Sequence, residues 1–257
     1  MANGHFRLDA FKKSYGNRHY GIVESQKVIV PDEATFFLEK DLQHGQKLRL
    51  DLTRSAPTMA FLPRGAANAI PFSSEKLPTI LNLFSIQPNS VVAKQMKQVL
   101  SRCEVQDPSE KSKHCATSLE SMVDYVTATL GTHDVRTVSL EVEKGAASSQ
   151  QYMVPQSPHM QEAAEESYVV CHPELWPYAV FYCHVTPVTR AYVVGLTGED
   201  GTRVDAVAVC HMDTSSWNPK HLAFEVTKVK PGTVPICHLL PQGDIVWAPQ
   251  TKGSQIP

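Results

Sequence analysis

The chain has 257 residues, of which 42% are hydrophobic, and a formal net charge of −2. This length suits one large domain or two small ones, and the balanced charge provides no basic face for nucleic acid. No apolar run approaches the ~18 residues of a membrane-spanning helix, so we expect neither nucleic-acid binding nor membrane insertion.

The two ends of the chain differ from its middle. Residues 1–33 are predicted to form a loosely structured leader, because the first 25 of them are polar and mildly basic. Residues 34–247 are predicted to form a single domain. Residues 248–257 offer little apolar surface to bury and are predicted to be a flexible tail.

Two helices are predicted in the first half of the chain. Residues 73–81 form the first, with a serine at its start as the cap and with Pro78 interrupting or kinking it. Residues 89–102 form the second, because apolar side chains recur there at helical spacing after Asn89 or Ser90, either of which is a suitable cap.

A third helix is predicted from the sequence Thr117-x-x-Glu120, which has the form of a capping box. Apolar residues then recur at helical spacing up to Gly131, a suitable C-cap. These residues are Leu119, Met122, Val123, Val126 and Leu130. We assign all three helices to the core and no chemistry to them.

The second half of the chain changes to the pattern of β-strands. The strands are predicted at residues 169–170, 178–182, 191–196, 204–209 and 222–229, with a hairpin turn at residues 198–201. The predicted fold class is therefore α+β, with a helical and mixed first half packed on a β-rich C-terminal half.

This β-rich half carries four Cys-His dipeptides separated by 10, 25 and 25 residues: Cys171-His172, Cys183-His184, Cys210-His211 and Cys237-His238. Neighbouring side chains of a strand point to opposite faces, so the Cys and His of one dipeptide are poorly placed to bind one ion together. The pattern predicts that the sulfurs meet on one side and the imidazoles on the other.

The separated groups predict two roles. Cys171, Cys183, Cys210 and Cys237 are predicted to form disulfides, in one of three connectivities that the sequence leaves open, and Cys103 with Cys115 closes a local loop. His172, His184, His211 and His238 are predicted to gather around a metal, since neutral imidazole suits copper, zinc, iron or nickel.

Two alternatives compete with this interpretation. Structural zinc usually takes ligands in pairs about two to four residues apart, as in C-x2-C, and no such spacing is present. The four histidines could also be ordinary polar groups of the core or surface. We expect that ordinary role for the other seven histidines, among them His114, which precedes its cysteine, and His221.

The pattern CH-x10-CH-x25-CH-x25-CH resembles the signature of the BURP domain of plants. Five further stretches agree with that family: FFLEKDL at 36–42, IPFSS at 70–74, CATSLESMV at 115–123, YAVFY at 178–182 and WNP at 217–219. The resemblance covers roughly residues 34–247. Members of the family include copper-dependent peptide cyclases and proteins with structural or other roles.

The resemblance implies an enzyme that uses copper and dioxygen to macrocyclise a ribosomally made precursor peptide through a Tyr or Trp side chain. The four paired histidines would be its copper ligands, at one site or two, and Asp213 is our first candidate for a carboxylate that orients them, ahead of Asp205 and Asp244. A separate precursor peptide is favoured over self-modification, because all three tryptophans lie inside the predicted domain.

The resemblance also implies a secreted or vacuolar plant protein, and six cysteines suit an oxidising compartment. The sequence begins without a signal peptide, so we expect that one has been trimmed. A non-enzymatic secreted protein associated with the cell wall or with stress, stabilised by disulfides and carrying an incidental metal site, is the alternative function.

Overall fold

The computed structural model describes residues 36–42, 45–50, 59–106, 112–142, 150–154, 168–185 and 188–250. Within these ranges the chain has the α+β fold that the sequence predicts. Strands also come from the first half of the chain, so the predicted division into a helical half and a β-rich half is only partly right. The predicted leader lies outside the described residues.

Five α-helices and two 3-10 helices are present in the described part of the chain. The α-helices are α1 (Arg64–Ala67), α2 (Leu77–Leu83), α3 (Val91–Glu104), α4 (Leu119–Leu130) and α5 (Leu222–Thr227), and the 3-10 helices are Glu39–Leu42 and Ser74–Lys76. None of these helices is long and apolar enough to cross a membrane.

The described strands form two sheets. The strands are β1 (Phe36–Leu38), β2 (Lys47–Leu50), β3 (Ser112–Ala116), β4 (Val135–Val138), β5 (Glu141–Val142), β6 (Gln150–Met153), β7 (Val169–Pro173), β8 (Phe181–Val185), β9 (Thr189–Gly198), β10 (Arg203–His211), β11 (Ile236–Leu239) and β12 (Ile245–Pro249). The first sheet has the order β1-β11-β10-β9-β6-β2, with β5 also paired to β10, and the second has the order β3-β8-β7-β12-β4.

The two sheets pack face to face through an apolar layer that both of them supply. The first sheet contributes Ala191, Val207 and Val209, and the second contributes Val170, Val246 and Ala248. On its other face the second sheet packs against α4. The four paired histidines belong to the same faces as this inter-sheet layer.

Helices α2 and α3 lie close to where the sequence predicts them. Ser90 caps α3, and its side chain accepts a hydrogen bond from the Ala93 amide at 3.1 Å. Pro78 does not kink α2, because it lies in the first turn, where its missing N–H is not needed. The α3 residues Met96 and Leu100 are fully buried, as the helical spacing predicts.

Helix α4 begins one residue later than its sequence pattern suggests. The capping box is formed by Ser118 and Ser121, and Ser118 Oγ accepts from the Ser121 amide at 3.1 Å. The predicted cap, Thr117, lies just outside the helix. The C-cap prediction is confirmed, since Gly131 has a φ of +69°.

Replacing Ser118 by alanine is expected to lower the free energy of unfolding by about 1 kcal/mol, the usual contribution of an N-cap. Thr117→Ala is the matched control and should change it by a smaller amount. Equilibrium denaturation of the two variants measures the difference. An equal loss in both would contradict the placement of the cap.

Two sequence predictions for the C-terminal region are wrong, and two strands were missed. Residues 222–229 hold α5 rather than a strand, because His221 Nδ1 accepts from the Ala223 amide at 3.2 Å and starts a helix there. Strands β11 and β12 are absent from the prediction. The predicted tail begins too early, since Ala248 is buried within β12; residues 251–257 lie outside the described residues.

Candidate functional site

The first two Cys-His dipeptides lie on neighbouring antiparallel strands. Cys171 of β7 is directly opposite Cys183 of β8, and the two form a disulfide with a Cα–Cα distance of 4.0 Å. Their histidines lie one residue further along each strand, so His172 and His184 are diagonal neighbours on the opposite face. We call them the first His pair.

The last two dipeptides repeat this arrangement in the other sheet. Cys210 of β10 is opposite Cys237 of β11, and they form a disulfide with a Cα–Cα distance of 3.9 Å. His211 and His238, the second His pair, again lie diagonally across the two strands. Each disulfide therefore fixes the register that brings one pair of imidazoles together.

The structure confirms the predicted disulfides and selects one of the three connectivities. All six cysteines are paired, the third disulfide being the predicted link between Cys103 and Cys115. The structure also confirms that sulfur and imidazole point to opposite faces. Cys171 and Cys183 are buried beside α4, whereas Val170, on the same face of β7 as His172, lies in the inter-sheet layer.

The first His pair is held by a short chain of contacts. Asp244 Oδ2 lies 2.7 Å from His172 Nδ1, and His172 Nε2 lies 3.1 Å from His184 Nε2. The Asp244 side chain is only 6% exposed and that of His172 is 27% exposed, so the contact is shielded but the His172 ring remains partly accessible.

The second His pair is packed among aromatic rings. The rings of His211 and His238 stack with centroids 5.5 Å apart, and Trp217 meets His211 edge-on at 4.9 Å. Phe36 lies 5.9 Å from His238. Trp217 therefore contacts the second His pair, although aromatic residues of strands and loops usually serve in packing.

Burial keeps the second His pair neutral. Desolvation is the main cause that lowers the pKa of His211 to about 3 and that of His238 to about 4. Repulsion from the first His pair contributes to both shifts, which places the two pairs within electrostatic reach of each other. Neutral imidazoles are the form that binds metal ions.

The structure gives Asp213 a partner other than a histidine, and it places His221 near the second His pair. Asp213, our first candidate for the orienting carboxylate, is exposed, and its Oδ1 accepts from the Ser215 amide at 2.9 Å. Asp244 contacts His172 instead. His221, which was expected to have no role at the site, lies 4.9 Å from Trp217, but its Nδ1 is used as the cap of α5.

The donor type and one distance fit a metal site. Two imidazole nitrogens bound about 2.0–2.1 Å from one ion at 90–109° lie about 2.8–3.4 Å apart, and the Nε2–Nε2 distance of the first His pair is 3.1 Å. Among the described residues, however, no three His, Cys, Asp or Glu side chains form a group arranged to hold an ion.

Comparison with known proteins identifies the family. A family model for the BURP domain matches residues 35–249. BURP domain-containing protein 3 of Oryza sativa subsp. japonica is 50% identical over 230 residues, which are 89% of this chain and 54% of that protein. BURP domain protein RD22 of Arabidopsis thaliana is 46% identical over 232 residues, or 89% of this chain and 59% of that protein.

The chain thus spans little more than half the length of these two relatives. A third, BURP domain-containing protein 5 of Oryza sativa subsp. japonica, is 46% identical over 244 residues, or 94% of this chain and 75% of that protein. With a match over nearly all of the described fold and both His pairs inside it, the chain belongs to the BURP-domain family.

Proposed function

We propose that this protein is a copper-dependent peptide cyclase that macrocyclises a separate, ribosomally made precursor peptide through a Tyr or Trp side chain. The observation that carries the proposal is the presence of two His pairs, one on each sheet, on the faces that form the inter-sheet layer. Each pair has a cross-strand disulfide on the opposite face of its sheet. The two pairs therefore have the same local arrangement, although their sequences differ.

The donor set supports copper as the metal. Imidazole nitrogen suits copper(II), and the disulfides withdraw the thiolates that would favour zinc or copper(I). His172, His184, His211 and His238 would hold the ion or ions. One ion held by more than two of these nitrogens would require the imidazoles to reorient, and the His172 side chain is 27% exposed.

Bound copper with dioxygen would supply the one-electron oxidations of an aromatic ring that ordinary side chains cannot perform. In total the peptide loses two hydrogen atoms as a new bond forms, and dioxygen accepts the two electrons and two protons. Trp217 and Phe36, beside the second His pair, offer an apolar contact for the aromatic side chain of the substrate.

The test is aerobic incubation of the copper-loaded protein with precursor peptides that contain Tyr or Trp, followed by mass spectrometry. We expect a product lighter by two hydrogen atoms, and we expect His184→Ala to abolish it. His114→Ala is the control, because His114 lies on the neighbouring strand β3 directly opposite Cys183, and so on the face away from the His pairs.

A non-enzymatic role is the second candidate function. It is favoured by the lack of a group of three metal ligands among the described residues, and none of the three relatives described above has the name of an enzyme. The non-enzymatic role is supported, and the cyclase refuted, if copper binds but no peptide loses two hydrogen atoms. The unaltered protein and His184→Ala would then give the same mass spectra.

We further propose that the protein acts in the secretory pathway, either secreted or vacuolar. Three disulfides are typical of proteins that fold in an oxidising compartment. A fluorescent fusion of the whole natural protein, followed in plant cells, tests this location. Retention in the cytosol would contradict it.

A further inference from the structure

We propose that Asp244 is a positioning residue that fixes His172 as the Nδ1–H tautomer, which directs the Nε2 lone pair of His172 towards His184 and the ligand space. This inference deepens the proposed function and rests on it only where metal binding is concerned. The orientation of the ring is a property of the metal-free protein and has its own test.

The sheet register brings the two residues together. Ile245 of β12 is the partner of Cys171, so continuing the antiparallel register by one residue places Asp244 opposite His172. The turn before β12 supports this position, since the Asp244 amide donates to the Pro241 carbonyl at 3.2 Å. The carboxylate therefore reaches the same face as the imidazole.

The burial of Asp244 makes the contact significant. A carboxylate that is 6% exposed is costly unless a donor satisfies it, and the donor within reach is Nδ1 of His172 at 2.7 Å. A carboxylate accepts hydrogen bonds and cannot donate them, so Nδ1 must carry the hydrogen. For a neutral ring, this leaves the lone pair on Nε2.

The tautomer of His172 also sets the direction of its hydrogen bond with His184. With a lone pair on His172 Nε2, the 3.1 Å contact is a hydrogen bond donated by His184 Nε2–H in the metal-free protein. His172 and His184 would hold a bound metal ion through Nε2, and a neutral His184 would then carry its hydrogen on Nδ1. Asp244 thus selects which nitrogen of His172 faces the ion.

Another acidic side chain near His172, that of Glu174, forms an ion pair with Arg102. Glu174 Oε1 lies 2.7 Å from Arg102 Nη1, and the Glu174 side chain is 8% exposed. Desolvation raises the pKa of Glu174, while Arg102 and His172 oppose that rise. Its ion pair with Arg102 leaves the direct contact with His172 to Asp244.

The first measurement is made on the metal-free protein at pH 7. Long-range proton–nitrogen NMR correlations distinguish the two tautomers and the imidazolium, and a His172→Ala spectrum assigns the signals. We expect His172 as the Nδ1–H tautomer, and a mixture of tautomers in Asp244→Asn, because an amide accepts or donates. An Nε2–H ring or an imidazolium in the unaltered protein overturns the inference, whether or not copper binds.

The second measurement is the copper(II) dissociation constant, by competition with a chelator. Loss of such an orienting carboxylate usually costs about 10–100-fold in affinity, and we expect a loss of that size in Asp244→Asn. Asp213→Asn is the matched control, because Asp213 is exposed and bonded to the Ser215 amide, and it should bind as the unaltered protein does.

The outcomes separate the two proposals. Equal affinity of Asp244→Asn and the unaltered protein overturns the role of Asp244 in metal binding and leaves the cyclase proposal standing. The expected tautomer in a protein that binds no copper refutes the cyclase proposal and supports the assignment of His172. Far-ultraviolet circular dichroism of each variant establishes that it is folded before either comparison is made.

Discussion

Replacing Cys210 and Cys237 together by alanine is expected to lower the free energy of unfolding by about 3–4 kcal/mol. The disulfide closes a loop with a sequence separation of 27 residues, and the entropy of such a loop in the unfolded chain gives about 3.5 kcal/mol. Both sulfurs are fully buried in the core of the first sheet, so their loss also leaves a cavity.

Equilibrium unfolding in denaturant measures this loss, and the double substitution of Cys103 and Cys115 by alanine is the control. That disulfide has a separation of only 12 residues and lies in a partly exposed position, so it should contribute less. A larger loss for the control pair would contradict this prediction.

Acidification from about pH 6.5 to 4 is expected to destabilise the metal-free protein through the second His pair. The folded-state pKa values of His211 and His238 are lowered to about 3 and about 4, below the ordinary value of about 6.5 in the unfolded chain. Between these pKa values the unfolded chain binds more protons than the folded protein does. The free energy of unfolding is therefore highest above pH 6.5 and decreases as the pH is lowered.

The expected slope is about 1.4 kcal/mol per pH unit for each imidazole that must stay neutral in the fold. Carboxylates elsewhere add to the slope at low pH, so the measured quantity is the difference between the unaltered protein and the double variant His211→Gln, His238→Gln. Unfolding free energies at pH 7, 6, 5 and 4, with a chelator present, give both slopes. Identical slopes would contradict the burial of the second His pair as the cause.

The part of the site that depends on strand geometry could be predicted from the sequence. Alternation along a strand puts the side chains of Cys183 and His184 on opposite faces in any strand order. The structure has that arrangement in all four dipeptides. The disulfide connectivity could not be predicted, because it depends on which strands are neighbours. Sequence spacing alone does not pair β10 with β11 across 25 residues.

The carboxylate that contacts His172 was ranked behind Asp213 for the same reason. Asp213 is near His211 in sequence, but it follows the end of β10 and turns towards solvent. Asp244 is 72 residues from His172 and reaches it through the register of β12 with β7, which no local pattern encodes. Similarly, residues 222–229 have the composition of a strand, and the cap supplied by His221 makes most of them a helix.

The cross-strand disulfides have a consequence for how the protein is assembled. Because side chains alternate, a slip of one residue between β7 and β8 would reverse the faces of one strand relative to the other, so that one imidazole would leave the inter-sheet face and one sulfur would replace it. Oxidation of Cys171 and Cys183 forbids the slip. It also removes two thiolates that would compete for soft metal ions, so oxidative folding has to precede metal loading if nitrogen rather than sulfur is to receive the ion.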